Sequence, residues 1–181
     1  MWEFIKSASN KSNWLVHDNK EICFIGRSNV GKSSLINALA NNKLAKTSKT
    51  PGRTQLINYF KNENNTIIVD LPGYGFANIA LQLQEKMFLM VDEYFNNSNP
   101  NIVFLLIDAR RGIMRQDENI IEHLINLKHN IVLILTKVDK AKQSEIASSL
   151  KHKYFKTIPY FESSIKNENK INKIKEFIKN I

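Results

Sequence analysis

The chain has 181 residues, 43% of them hydrophobic and 24% charged, which fits a single soluble globular domain large enough to bury a core. Its longest apolar runs are strand-length, and Met1–Leu15 carries charges without a continuous apolar stretch, so neither a membrane span nor a secretory signal is expected. Lys and Arg number 26 against 17 Asp and Glu, and a net charge of +9 biases the surface toward polyanions, or reflects lysines filling solvated faces. The lone cysteine, Cys23, cannot form an internal disulfide and falls in an apolar run, so a buried structural thiol in a reducing cytoplasm is expected.

Met1–Lys20 has weak patterning and reads as an arm or edge segment ahead of one domain over residues 21–181. Glu21–Ile25 is a short apolar run that ends in glycine, the mark of a buried strand. Ser33–Asn41 spaces Leu35, Ile36 and Leu39 on one helical face. The polar stretch Lys43–Arg53, with Pro51-Gly52, reads as a mobile loop. Gln55–Lys61 and Thr66–Leu71 form two strands joined by the turn Asn62–Asn65. Ala80–Asn96 is helical through Leu83, Phe88, Val91 and Phe95. A strand at Ile102–Ile107, a helix at Asp117–Leu127, a strand at Ile131–Leu135, a helix at Ser144–Tyr154 and a short strand at Ile158–Phe161 follow. Ile171, Ile174, Phe177 and Ile181 space a closing amphipathic helix. Strands alternating with helices predict an α/β fold built on a parallel sheet.

The residues Gly26-Arg27-Ser28-Asn29-Val30-Gly31-Lys32-Ser33 fit the pattern G-x-x-x-x-G-K-[ST], directly after a strand and before a helix. Backbone N–H groups of such a loop and the helix N-terminus attract phosphate oxygens, Lys32 reaches the β- and γ-phosphates, and the Ser33 hydroxyl ligates Mg²⁺. A glycine-containing turn without ligand is the bland alternative. Asp70-Leu71-Pro72-Gly73 ends the strand over residues 66–69, placing Asp70 to orient Mg²⁺ through water and the Gly73 N–H toward a γ-phosphate. A simple Pro-Gly turn competes with that reading. Gly75 frees the following segment to move.

Thr136-Lys137-Val138-Asp139 follows another apolar strand. An aspartate accepts hydrogen bonds from both guanine N1–H and the 2-amino group, donors that adenine lacks. The Lys137 stem can lie across the base plane. Ser163 and Ser164, after the last strand, can offer N–H groups to guanine O6. Alone, Asp139 could instead cap the next helix. All these motifs fall at the C-terminal ends of strands, the edge where open α/β sheets bind ligands.

The stretches GRSNVGKSS (Gly26–Ser34), KTPGRTQ (Lys49–Gln55), DLPGYGFA (Asp70–Ala77) and TKVD (Thr136–Asp139) resemble the EngB family, within the translation-factor-related class of P-loop GTPases. The resemblance spans nearly the whole chain. It implies a P-loop GTPase fold: a mostly parallel six-stranded sheet with one antiparallel edge strand and helices on both faces. It also implies a cytoplasmic bacterial monomer that binds GTP or GDP with Mg²⁺ and assists assembly of the large ribosomal subunit through ribosomal RNA, and thereby growth and cell division. Thr54 is similar to the switch threonine that ligates Mg²⁺, with Thr50 a nearby competitor, and Gly52 and Arg53 stand beside it. Ser34 extends the phosphate loop. The family carries threonine, as at Thr136, where many GTPases have asparagine.

Many GTPases position the attacking water with a glutamine after the Asp-x-x-Gly glycine; here that residue is Tyr74, which predicts slow intrinsic hydrolysis. In related GTPases an asparagine at the position of Asn29 helps hold K⁺ beside the β–γ bridge. Lys43, Lys46, Lys49 and Arg53 form one basic cluster and Arg110, Arg111 and Arg115 another, either RNA-facing or simply solvated. A nucleotide kinase and a GTP-sensing module without turnover are competing functions; the T-K-x-D signature speaks against the first.

Overall fold

Continuous apolar runs in the central strands give the sheet two buried faces, since successive side chains point to opposite sides. In the computed structural model, which describes residues 2–45, 56–75 and 80–181, the strands are β1 (Glu3–Ala8), β2 (Glu21–Gly26), β3 (Ile57–Lys61), β4 (Ile67–Asp70), β5 (Ile102–Asp108), β6 (Ile131–Thr136) and β7 (Tyr160–Glu162). They lie in the order β1-β3-β4-β2-β5-β6-β7. The strands from β4 to β7 are parallel, and β3 and β1 extend the sheet antiparallel. The helices are α1 (Lys32–Ala40), α2 (Leu81–Asn97), α3 (Arg115–Asn126), α4 (Gln143–Leu150), α5 (Lys153–Thr157) and α6 (Glu168–Lys179).

Side chains of β2 alternate between two cores: Cys23 and Ile25 point to one that includes α2 and α3, Ile22 and Phe24 to one that includes α1 and α6. The α/β class and helices on both faces are therefore as expected. Burial pushes the Cys23 thiol well above its ordinary range, which keeps it protonated and inert.

Among the described residues the sheet has seven strands rather than six. Residues 3–8 carry little alternation because they form an edge strand, paired on one side only and interrupted by a bulge between Phe4 and Lys6. This segment is fixed instead by the buried Trp2 on one face and by Trp14 against Tyr94 on the other. Along α2 the buried stripe is Met87, Met90, Val91, Tyr94 and Phe95, while Phe88 is 57% exposed. Met87, one position before Phe88, starts the i, i+3/i+4 row that faces the sheet. The helix expected over residues 144–154 is two helices. His152 is extended at the break, its ring nitrogen accepts from the Tyr154 N–H at 3.4 Å, and Tyr154 and Phe155 turn into the core. Among the described residues no helix is long and apolar enough to cross a membrane. The loop expected over 43–53 lies largely outside the described residues.

Candidate nucleotide site

The phosphate loop is the turn that joins β2 to α1. A Cβ on Gly26 would sit 2.9 Å from Val30 Cγ1 and 3.1 Å from the Leu106 carbonyl oxygen, so only glycine fits where the loop leaves the sheet. Gly31 holds φ at 106°, a conformation that side chains strain against, and Asn29 holds 62°. The turn is closed by Val30 N–H to Arg27 O at 3.1 Å, and Gly31 O accepts from Leu35 N–H at 2.9 Å as α1 begins. Ser33 and Ser34 are half-buried in the first turn of α1, where helical N–H groups lack intrahelical acceptors.

The Asp-x-x-Gly segment runs alongside this loop. Asp70 ends β4 opposite Phe24 of β2, and Leu71 N–H donates to Phe24 O at 3.1 Å. Past the buried Gly73, Ser28 N–H donates to Tyr74 O at 2.8 Å and Tyr74 N–H to Gly26 O at 3.3 Å. Lys32 and Asp70, 8% and 2% exposed, form an ion pair. The Tyr74 hydroxyl donates to Asp117 Oδ1 at 2.6 Å, and Asp117 Oδ2 accepts from the Met114 N–H at 2.8 Å at the start of α3. Burial pushes the Tyr74 hydroxyl and the Asp117 carboxyl upward. Tyr74 packs against the core of α2 and α3, on the face of the sheet opposite α1.

On the far side of the phosphate loop, β6 delivers Thr136. Its hydroxyl donates to the Val30 carbonyl at 2.7 Å, tying the T-K-x-D stretch to the phosphate loop from below. Lys137, at φ 59°, reaches over the loop to the Asn29 carbonyl and to Asp108 Oδ2, the latter at 3.0 Å. Val138 N–H donates to Ser163 O at 3.3 Å, so residues 136–139 and the buried Ser163 and Ser164 lie side by side. Asp139 is exposed and does not cap the next helix, because α4 starts at Gln143 with Lys142 as N-cap. The Ser163 N–H already donates to Leu135 O at 2.8 Å, so Ser164 is the residue of the pair whose amide suits a base oxygen.

The structure thus gathers Gly26, Arg27, Ser28, Asn29, Val30, Gly31, Lys32, Ser33, Ser34, Asp70, Gly73, Thr136, Lys137, Asp139, Ser163 and Ser164 along the C-terminal edge of the parallel strands. Gly52, Arg53 and Thr54, with Thr50, lie outside the described residues. Two carboxylates escaped the sequence motifs: Asp117, and Asp108 at the tip of β5. Burial raises the Asp108 carboxyl, but hydrogen bonds from Arg110 and Lys137 outweigh it and bring its pKa down to about 2. An aspartate that ends an apolar strand run, as Asp70 does, was the signal available for Asp108.

A family model described as a 50S ribosome-binding GTPase matches residues 21–137, more than half of the chain. The chain is 50% identical over 173 residues to the probable GTP-binding protein EngB of Mycoplasmopsis pulmonis, covering 93% of each chain. It is 56% identical over 146 residues to that of Metamycoplasma arthritidis, covering 80% of each. A crystal structure of a probable GTP-binding protein engB superimposes with a TM-score of 0.69 at 26% identity, over 88% of this chain and 97% of that one. With the phosphate loop, the Asp-x-x-Gly segment and the T-K-x-D stretch meeting on one sheet edge, the chain belongs to the EngB family of GTP-binding proteins and is a P-loop GTPase that hydrolyses GTP.

Proposed function

We propose that this GTPase is a molecular switch that acts in assembly of the large ribosomal subunit, and through it supports growth and cell division in a bacterial cytoplasm. What carries the switch is the junction between the phosphate loop and the segment after Asp70. Ser28 and Gly26 hold Tyr74 by backbone hydrogen bonds, Lys32 pairs with Asp70, and Tyr74 reaches Asp117 of α3. A γ-phosphate contacted by Lys32 and the Gly73 N–H would pull on this one connected segment, and its loss on hydrolysis would release it.

In this assignment the amide of Asn29 and those from Gly31 to Ser34 cradle the phosphates, Lys137 underlies the base, Asp139 reads its edge, and the Ser164 amide meets O6. Thr136 supports the loop rather than the base, which gives the threonine at this position a role of its own. Mg²⁺ fits the donor set, since a hard cation takes oxygen ligands such as a serine hydroxyl and a carboxylate. Ser33 and Thr54 would ligate it directly and Asp70 through water; bound there, it neutralises phosphate charge. Tyr74 carries no amide to orient water and its hydroxyl is engaged by Asp117, so intrinsic hydrolysis is slow.

Asn29, exposed on the rim of the loop, is assigned to a K⁺ ion beside the β–γ bridge. The wild type is expected to hydrolyse GTP about tenfold faster in KCl than in NaCl, as a general electrostatic effect of a positioned cation, and Asn29→Ala to lose the difference. Equal rates for both proteins in both salts would remove K⁺ from the mechanism.

The ribosomal partner is supported by the matched family's description and by the net charge of +9. Arg110 is engaged by Asp108, which leaves the exposed Arg111 and Arg115 as the cations of that cluster for RNA phosphates. Co-sedimentation with isolated large subunits tests the proposal. The monomer loaded with a non-hydrolysable GTP analogue should pellet with them and the GDP form should not. Binding should weaken about tenfold or more between about 50 mM and about 200 mM salt, as counterion release requires. Association indifferent to nucleotide would end the switch reading; indifference to salt would replace RNA by protein as the contact.

A further inference from the structure

We infer that Asp108 is a positioning residue for the guanine site, holding the Lys137 side chain across the phosphate loop so that its stem is already laid out as the floor for the base. The inference rests on the assignment of residues 136–139 to the base.

Asp108 is the last residue of β5 and pairs in register with Thr136 of β6, so its carboxylate emerges next to Lys137. Among the described residues four donors surround it. Oδ1 accepts from the Arg110 N–H at 3.1 Å and from Arg110 Nε at 2.9 Å. Oδ2 accepts from Arg110 Nη2 at 2.6 Å and from Lys137 Nζ at 3.0 Å. The planar guanidinium grips both oxygens at once, which fixes the plane of the carboxylate as well as its place. Lys137 is then held at its tip by Asp108 and by the Asn29 carbonyl, and its Cε lies 3.5 Å from where a Gly31 Cβ would be. The stem is therefore laid over the loop at Gly31, within van der Waals distance of where a side-chain carbon would stand. A free lysine samples many rotamers, and ordering one only when ligand arrives can cost about tenfold in affinity. Asp108 and Arg110 remove most of that cost in advance. Because Lys137 meets the face of a base and not its edge, the gain is the same for any purine.

Isothermal titration tests this on the full chain, with GDP on the natural Asp139 and with xanthosine diphosphate in an Asp139→Asn background. Asp108→Asn should weaken both by about fivefold and leave their ratio unchanged. In a Lys137→Met background, which keeps most of the stem but removes its charge, the same substitution should change neither. Arg110→Ala removes the grip at an exposed residue, so folding is not at stake, and should weaken both ligands by a smaller factor. If Lys137→Met alone leaves affinity intact, anchoring the tip of Lys137 contributes nothing and the inference fails, whereas the base assignment fails only if Asp139→Asn also keeps its full preference for guanine. Should Lys137→Met weaken binding while Asp108→Asn and Arg110→Ala do not, only the positioning role is overturned. A loss from Asp108→Asn that persists undiminished beside Lys137→Met also overturns it, since Asp108 would then act elsewhere.

Discussion

Asp139→Asn should turn a GTP-selective protein into one that prefers xanthosine triphosphate. The carboxylate accepts from guanine N1–H and from the 2-amino group. Asparagine keeps one acceptor but presents an N–H₂ to the 2-amino group, so two donors face each other and neither is satisfied. Xanthine carries an oxygen at that position, which aspartate repels and asparagine pairs with. Sites built on such polar matching discriminate by about 10⁴–10⁵, so a reversal of the GTP-to-XTP preference by about 10⁴-fold is expected. Displacement of a fluorescent nucleotide by each triphosphate reads it directly. A variant that kept its full GTP preference would show that Asp139 does not read the base. The local structure favours the test: Asp139 is exposed, α4 is capped by Lys142, and the Glu145 carboxylate accepts from the Lys142 N–H at 2.7 Å. The substitution therefore removes no helix cap.

Lys32→Ala should remove tight nucleotide binding, and its cost divides into two readable parts. Lys32 and Asp70 are both nearly fully buried. Removing the ammonium leaves the Asp70 carboxylate without its partner, which for buried pairs costs about 3–5 kcal/mol of stability. Phosphate affinity falls separately, since the loop keeps its amides but loses its only buried cation among the described residues. Thermal unfolding distinguishes the two. Wild-type protein with GDP at about 100 times its Kd should gain about 2.7 kcal/mol, and its Tm should rise accordingly. The variant should melt lower, still cooperatively, with no shift on adding GDP. A variant that retained the full ligand-dependent shift would move the phosphates away from this loop.

How much of this was legible in advance differs between particular residues. The phosphate loop is written locally: a strand that ends in Gly26, a left-handed Gly31, and a helix starting at Lys32 occupy one short run, although the tight space at Gly26 comes in part from Leu106 of the neighbouring strand β5. The buried strands declare themselves by continuous apolar residues. Phe88 and Met87 show the limit of periodicity, because a row shifted by one residue satisfies the pattern nearly as well and only the sheet beneath α2 selects between them. The break before α5 is of the same kind: nothing between Leu150 and Lys153 forbids a helix, and the burial of Tyr154 and Phe155 decides it.

The sequence by itself determined the α/β class, the phosphate loop, the order of the nucleotide motifs and the position of each at a strand end, since these depend on the period of apolar residues and on backbone constraints over a few positions. Only the tertiary structure decided that residues 3–8 close the sheet as a seventh strand, that Thr136 supports Val30, that Tyr74 is tied to Asp117, and that Asp108 with Arg110 grips Lys137. Each of these joins segments distant in the chain through strand pairing, hydrogen bonds or ion pairs, and such contacts exist only once the assembled sheet and helices have brought their donors and acceptors together.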